Sequence, residues 1–216
     1  MLVVVGGHSR NIGKTSVVAG LIRHLRDRKW TALKITQYGH GVCSHRGAAC
    51  GCETEPDHPF ALSEEYEPSR TDSGRFLAAG AERSFWLRTA AGQLSAAAKQ
   101  VRKILAQHEN VIVESNSLLE LVESNSLAEP DLFLMVLDFS CRDFKASSAR
   151  FLGRADALVV IGGGDSAPAW ENVPRDAWER KPQFPVKPPN YVTPAMVEFV
   201  RSAYPVTKLS CYQPIG

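Results

Sequence analysis

The chain lacks a long apolar run, a cluster of basic residues and an even set of cysteines. A membrane-spanning helix needs about 20 consecutive apolar residues, so none is predicted and no membrane is expected as a partner. The formal net charge is only +2, and without a basic face nucleic acid is not an expected partner either. Met1 leads into an apolar strand instead of a signal peptide, which predicts a cytoplasmic protein.

Cysteine usage agrees with that location. The five cysteines are an odd count, which in a reducing compartment indicates thiols or metal ligands and not disulfides. The chain has 216 residues, of which 44% are hydrophobic and 22% charged, as in an ordinary globular protein. The length suits one α/β domain with a full core, so residues 1–216 are predicted to form a single domain.

A phosphate-binding loop is the strongest signal in the chain. Gly13-Lys14-Thr15 stands between the apolar run Leu2-Val3-Val4-Val5 and an amphipathic stretch at 16–26. When a strand, a glycine-rich turn and a helix follow in that order, backbone N–H groups and the positive end of the helix dipole meet at one anion site. Lys14 would then reach the β- and γ-phosphates of a nucleoside triphosphate, and the Thr15 hydroxyl would complete the coordination of Mg²⁺.

The loop is one residue longer than the Gly-x-x-x-x-Gly-Lys-Thr pattern, which needs glycine where His8 stands. The nearest glycine is Gly7, and in this length the loop resembles those of dethiobiotin synthetase and the cobyrinate amidases. The residues predicted to bind the nucleotide are Gly7, His8, Ser9, Arg10, Asn11, Ile12, Gly13, Lys14, Thr15 and Ser16.

Apolar segments of strand length recur along the chain. Strands are predicted at 30–36, 84–88, 110–114, 131–138 and 155–161, and helices at 75–81, 91–108 and 193–203, the last capped by Thr193 with Pro194 in its first turn. Apolar runs without alternation, separated by helices, indicate a buried parallel sheet covered on both faces. The predicted fold is α/β, a doubly wound and mainly parallel sheet with the three-layer architecture of P-loop nucleoside triphosphatases.

Three stretches are less regular. Segment 37–70 is polar and has little periodicity, so it is predicted to be an insertion. Segment 162–190 is rich in glycine, proline and tryptophan and is predicted to wrap the surface. Glu114-Ser115-Asn116-Ser117 recurs as Glu123-Ser124-Asn125-Ser126, and the second copy is predicted to continue a helix without a chemical role.

Two acidic residues end apolar strands and are candidates for the Mg²⁺ site. Glu114 follows Val111-Ile112-Val113, and Asp138 follows another apolar run. In phosphate-loop enzymes the strand beside the first one carries an acid that holds Mg²⁺ through water, and Thr15 and Glu114 are therefore the predicted magnesium ligands. Asp138 is the rival, with the alternative role of an ordinary cap at a strand end.

Four short motifs resemble, in their order, those of the MobB-type proteins of molybdopterin guanine dinucleotide synthesis. They are the phosphate loop, Lys34 at the end of the second strand, Thr71-Asp72-Ser73-Gly74-Arg75 followed by Ala78-Ala79-Gly80-Ala81, and Val113-Glu114. The resemblance covers about residues 1–161. It implies GTP binding, slow hydrolysis and assistance to a molybdopterin-processing enzyme, with a homodimer as a further expectation.

The candidate catalytic residues are Lys14, Glu114, Asp72 and Arg75. Arg75 or Arg10 could neutralise phosphate charge, because phosphoryl transfer is catalysed mainly by positioning and charge stabilisation. The sequence contains no Asn-Lys-x-Asp motif, so the base is not specified and the expected ligand is Mg²⁺ with GTP or ATP.

A second group of candidate ligands lies inside the polar segment 37–70. Three thiols and two imidazoles occur close together, a set that suits tetrahedral Zn²⁺: Cys43, His45, Cys50, Cys52 and His58. Three thiolates and one of the two histidines would complete the site. A metal would also order a polar segment that gains little from apolar burial.

Three functions are therefore open. The first is a Mg²⁺-dependent nucleotide-binding protein with weak triphosphatase activity, acting as an adaptor in molybdenum cofactor synthesis. The second is an ATP-dependent ligase or amidase that resembles dethiobiotin synthetase, as the long loop suggests. The third is a metal-responsive binding module in which the nucleotide acts as a switch.

Overall fold

The computed structural model describes residues 1–38, 58–162, 167–171 and 173–203. Their strands are β1 (Leu2–Gly7), β2 (Thr31–Tyr38), β3 (Phe60–Glu65), β4 (Arg83–Ala90), β5 (Val111–Glu114), β6 (Leu132–Asp138), β7 (Ala157–Ile161) and β8 (Gln183–Val186). The helices are α1 (Lys14–His24), α2 (Asp72–Ala79), α3 (Ala98–Gln107), α4 (Leu118–Glu123), α5 (Ala146–Leu152) and α6 (Pro194–Ser202). Within these ranges, no helix has the length and apolarity that crossing a bilayer requires.

All eight strands join one sheet in the order β3-β4-β2-β5-β1-β6-β7-β8. Every neighbouring pair is parallel except β3 with β4, which is antiparallel. The central strand β1 lies between β5 and β6, so the residues that follow these three strands meet at one edge of the sheet. The predicted α/β fold with a doubly wound, mainly parallel sheet is confirmed.

Helices cover both faces of the sheet, and two apolar cores separate the three layers. Val3 and Val5 face the core that α1, α2 and α6 close, whereas Val4 faces the core that α3, α4 and α5 close. All three valines are fully buried. A strand that is apolar at consecutive positions therefore needs helices on both of its sides, as the unalternating sequence indicated.

The ends of several helices follow the expected local chemistry. The Thr193 side chain accepts a hydrogen bond from the Met196 N–H, and Pro194 follows at the first helical position, so the predicted start of α6 is confirmed. Thr71 caps α2 in the same way by accepting from the Gly74 N–H at 3.0 Å. Gly80 ends α2 with φ 107°, a left-handed conformation that glycine adopts without steric cost.

Segment 37–70 contains a strand that its composition does not predict. Strand β3 pairs with β4, and Glu64 accepts two hydrogen bonds from the Arg83 guanidinium at 2.7 Å each. The segment that is predicted to be a polar insertion therefore contains regular structure at β3. The cross-strand partners stabilise β3, whose own sequence has no apolar alternation that would predict a strand.

Three other predictions need correction. Segment 162–190 does not only wrap the surface, because β8 extends the sheet and Trp170 and Trp178 are buried in the core. The predicted helix at 91–108 begins late, at Ala98, after a 3₁₀ turn. The second copy of the repeat does not continue a helix, since α4 ends at Glu123 and Asn125 adopts φ 55°.

Candidate functional site

The loop between β1 and α1 ends at Gly13, and the helix that follows it has no side-chain cap at its N-terminus. Gly13 has φ 91° and ψ 8°, and its carbonyl accepts the first helical hydrogen bond from the Val17 N–H at 3.0 Å. Gly13 has no side chain to cap the helix, and the first turn of α1 contains no acidic residue. The N–H groups and the positive end of the dipole at Lys14 are thus left for an anionic ligand.

His8 occupies the position where the shorter pattern has glycine, and its side chain is fully buried. The Asp138 N–H donates to His8 Nε2 at 3.0 Å, so the proton is on Nδ1, which donates to the Asp143 carbonyl at 3.0 Å. The ring also packs against Phe144 and Trp170 at centroid distances of 4.9 Å. Burial lowers the pKa of His8 to about 4, so the imidazole is neutral and holds the loop to the segment after β6.

Further contacts hold the first half of the loop in place. The Ser9 hydroxyl donates to Asp143 Oδ2 at 2.5 Å, and the Lys145 N–H donates to the His8 carbonyl at 3.0 Å. Asn116 accepts from the Gly7 N–H at 2.8 Å and donates to the Gly7 carbonyl at 2.9 Å. These contacts hold the loop in one conformation, and a preorganised loop lowers the entropic cost of binding a ligand.

Lys14 is folded back over this loop. Its ammonium donates a hydrogen bond to the Ser9 carbonyl, and its stem lies where a Cβ on Gly7 would be only 2.7 Å from Cδ. Burial lowers the pKa of Lys14 to about 8. An anionic ligand would replace a single carbonyl as its partner and would favour the charged form.

The predicted magnesium ligands lie side by side at the start of α1. The parallel pairing of β1 with β5 sets Glu114 opposite Val5, and the Thr15 hydroxyl donates to Glu114 Oε2 at 2.9 Å. Glu114 is 2% exposed, and its other oxygen accepts from the Lys34 ammonium. A hydroxyl and a carboxylate are oxygen ligands of the kind that Mg²⁺ prefers, so this donor set fits the ion.

The first turn of α2 adds a second carboxylate and a guanidinium. Asp72 Oδ2 lies 3.0 Å from Lys34 Nζ, and Asp72 Oδ1 lies 3.7 Å from Arg75 Nη1. Arg75 also donates to the Ser16 hydroxyl at 3.1 Å. The Asp-Ser-x-Arg motif and the phosphate loop, which are far apart in the sequence, therefore lie next to each other.

The remaining candidates lie in other surroundings. Asp138 accepts from the Ser140 N–H at 2.9 Å and from its hydroxyl at 2.7 Å, which is the geometry of a turn cap. Arg10 is half-buried on the loop. Burial lowers the pKa of Lys145, and the nearby charge of Arg10 lowers it further. Gly7, Asn11, Ile12 and Ser16 complete the loop and the first turn of α1, with Asn11 at φ 56°.

Most of the predicted zinc ligands lie outside the described residues: Cys43, His45, Cys50 and Cys52. His58 is described and exposed. Among the residues that the structure describes, no group of three or more histidines, cysteines or acids is arranged to hold a metal ion. The zinc site remains a prediction from the sequence.

Sequence reasoning missed three groups that shape the loop, namely Asn116, Asp143 and Ser148. Ser148 donates to the Gly7 carbonyl at 2.9 Å and accepts from Asn116 at 2.7 Å. Each contact joins residues that are more than thirty positions apart. Only the order of the strands in the sheet brings them together, and no local spacing marks them.

No known family profile matches the chain, and no curated protein matches it. Among solved structures it is similar to LpxK from Aquifex aeolicus in complex with ATP, with 18% identity and a TM-score of 0.42 over 85% of this chain and 53% of LpxK. It is also similar to the signal recognition particle receptor FtsY from Elizabethkingia anophelis in complex with GDP, with 14% identity and a TM-score of 0.40 over 85% of this chain and 55% of FtsY. The chain thus spans about half the length of each.

Proposed function

We propose that this chain is a Mg²⁺-dependent nucleoside triphosphate-binding protein with slow triphosphatase activity. The observation that carries the proposal is the contact between Thr15 and Glu114 at the start of α1, a helix whose first turn has no side-chain cap and no acidic residue. Lys14 stands between the loop and this pair. A site for phosphate and a site for its cation are therefore adjacent, as a magnesium nucleotide requires.

The residues have distinct roles in this proposal. The N–H groups of the loop and of the first turn of α1 bind the phosphates, and Lys14 moves from the Ser9 carbonyl to the β- and γ-phosphates. Thr15 and Glu114 would hold Mg²⁺, Thr15 through its hydroxyl and Glu114 through a water of the ion. In hydrolysis, water attacks the γ-phosphorus and the bond to the β-phosphate oxygen breaks, while Arg75 offsets the negative charge of the transition state.

The finer part of the proposal is a role with GTP as an adaptor for a molybdopterin-processing enzyme. It rests on the resemblance of the Asp72 and Arg75 motif to MobB-type proteins. The position of that motif supports it, because Asp72 reaches Lys34 and Arg75 reaches Ser16 at the edge of the site. The homodimer and the protein partner belong to this finer proposal as well.

A ligase or amidase is the second candidate, favoured by the long loop from Gly7 to Gly13. In such an enzyme the γ-phosphate is transferred to a carboxylate substrate instead of water. Triphosphate turnover that rises when a carboxylate substrate is added would support the ligase. Slow triphosphate turnover that does not change with such substrates would support the adaptor.

Calorimetric titration with GTP, ATP and GDP, each with Mg²⁺ and with EDTA, tests the proposal. We expect triphosphate binding that needs Mg²⁺, and a loss of affinity in Lys14→Met. Lys29→Met is a matched control, because Lys29 is exposed and lies 4.0 Å from Glu82. It follows the C-terminal end of α1, whereas the phosphate loop precedes the N-terminal end. Absence of nucleotide binding in the parent protein would overturn the proposal.

A further inference from the structure

Lys34 is the one cation in the described cluster around Glu114 that contacts two carboxylates at once. Its ammonium donates to Glu114 Oε1 and lies 3.0 Å from Asp72 Oδ2. The strand register explains the first contact, since β2 and β5 are parallel and Lys34 stands opposite Glu114. The second contact comes from the first turn of α2, which packs over the same end of the sheet.

The two contacts differ in their surroundings. The side chains of Lys34 and Glu114 are 16% and 2% exposed, whereas that of Asp72 is 44% exposed. Without Lys34, the Glu114 carboxylate would be a buried charge with one hydroxyl partner, which is costly. Asp72 is open to water and can gain or lose its contact with Lys34 at lower cost.

Both oxygens of Glu114 accept a hydrogen bond in this arrangement. Oε2 accepts from Thr15 at 2.9 Å, and Oε1 accepts from Lys34. A hydrated Mg²⁺ beside Thr15 needs an oxygen of Glu114 for one of its waters. Each oxygen could still accept from a metal-bound water, but the Lys34 ammonium beside Oε1 places a positive charge next to the cation site and disfavours the ion there. Asp72 already offers the ammonium a second partner.

We propose that Lys34 is the internal counter-ion of the magnesium site and makes cation binding conditional on the nucleotide. With no nucleotide bound, Lys34 neutralises Glu114 and repels a free divalent cation. A magnesium triphosphate brings its own negative charge, so Lys34 can move from Glu114 to Asp72 and the phosphate. This inference rests on the proposed function, but its central claim, that Lys34 blocks a cation site, concerns the nucleotide-free protein.

Mn²⁺ alone, without any nucleotide, is the probe that tests the claim. Binding of one Mn²⁺ per chain is measured by electron paramagnetic resonance in the parent protein and in Lys34→Met, which removes the charge and keeps most of the stem. We expect Lys34→Met to bind Mn²⁺ about tenfold or more tightly than the parent, within the usual range of coupling between two charged ligands. Lys34→Arg keeps the charge and should bind Mn²⁺ as weakly as the parent.

Two controls assign the effect to this site. Lys29→Met removes an exposed lysine from the same chain and should leave Mn²⁺ binding unchanged. The double variant Lys34→Met/Glu114→Gln should lose the gain, because the carboxylate that loses its counter-ion in Lys34→Met is replaced by an uncharged amide. Equal Mn²⁺ affinity in Lys34→Met and in the parent would overturn the inference, and so would a gain that survives Glu114→Gln.

Thermal unfolding provides a second readout. Lys34→Met should unfold at a lower temperature than the parent in EDTA and should regain much of the difference in Mn²⁺, because the ion replaces the missing ammonium. Should Lys34→Met fail to fold, Lys34→Gln is measured in its place, since its amide can still donate to Glu114 without a charge. A parent protein that binds no nucleotide would refute the proposed function, but the Mn²⁺ comparison would still decide the counter-ion role.

Discussion

Asn116 binds both backbone polar groups of Gly7, with Oδ1 accepting from the Gly7 N–H at 2.8 Å and Nδ2 donating to the Gly7 carbonyl at 2.9 Å. One amide side chain thus joins the two successive peptide groups at which the phosphate loop begins. The fit is close, because a Cβ on Gly6 would lie 2.0 Å from Asn116 Oδ1. Glycine at position 6 is therefore required by this contact.

Replacing Asn116 by Ala should weaken both folding and nucleotide binding. The Gly7 N–H loses its side-chain partner and the Gly7 carbonyl keeps only Ser148 as a side-chain donor, which costs about 1 to 3 kcal/mol of unfolding free energy. The repeat supplies the control, because Asn125 occupies the equivalent position in the second copy and has φ 55°. Asn125→Gly suits that backbone and should change the stability by less than about 1 kcal/mol. Urea unfolding of both variants, followed by calorimetry with a triphosphate, checks the difference; equal effects would refute a special role for Asn116.

Lys14→Met should reduce triphosphate affinity with little effect on folding. The lost charge-assisted contact with phosphate is worth about 2 to 3 kcal/mol, which corresponds to roughly 30- to 150-fold in the dissociation constant. The fold should persist, since the ammonium donates its hydrogen bond to one loop carbonyl. Calorimetry with the magnesium triphosphate measures the loss, and circular dichroism monitors the fold. A variant that binds the nucleotide as well as its parent would show that this loop does not bind phosphate.

The location of the magnesium acid can be tested with three variants. Glu114→Gln should raise the Mg²⁺ concentration needed for half-maximal nucleotide binding by about 10- to 100-fold, as loss of a group that orients metal-bound water does. Glu123→Gln in the second copy of the repeat should have little effect, because Glu123 pairs with Arg150 and Arg154 at the surface. Asp138→Asn should also leave the Mg²⁺ requirement unchanged, since Asp138 caps a turn. A dominant effect of Asp138→Asn would reverse the assignment.

The part of the site that consecutive residues form could be predicted from the sequence. A strand, a glycine turn and Lys14-Thr15 at a helix start are consecutive, so their arrangement follows from the backbone alone. The contact of Glu114 with Thr15 needed one further step, namely that a second buried strand lies beside the first. Because a parallel sheet allows few strand orders, this neighbour relation could be inferred from the sequence.

The other contacts depend on which strands become neighbours and on side chains that no pattern marks. Asn116 and Asp143 are polar residues that follow strands. A polar residue in that position predicts a turn cap as readily as a hydrogen bond to the phosphate loop. Strand β3 has its stabilising partner Arg83 on another strand. The burial of Trp170 and Trp178 depends on where their segment crosses the sheet, which composition rich in glycine and proline does not specify.

The last prediction concerns His8 and acid. The pKa of His8 is about 4 in the folded protein, mainly because of burial, against an ordinary value of 6.5. The unfolded chain binds a proton at His8 more readily than the folded protein does. The stabilisation that comes from the buried neutral imidazole is therefore fully present above pH 6.5 and is lost as the pH falls from 6.5 toward 4. The shift corresponds to roughly 3 kcal/mol.

Urea unfolding at pH 7 and pH 4.5 measures this loss. His8→Gln can still accept from the Asp138 N–H and donate to the Asp143 carbonyl, yet it does not titrate. Between the two pH values the parent should therefore lose about 2 to 3 kcal/mol more unfolding free energy than His8→Gln. His108→Gln is the control, because burial and Arg83 also lower the pKa of His108, but this residue lies far from the loop. If His8→Gln and the parent lose equal stability in acid, the buried neutral imidazole is not what holds the phosphate loop to the segment after β6.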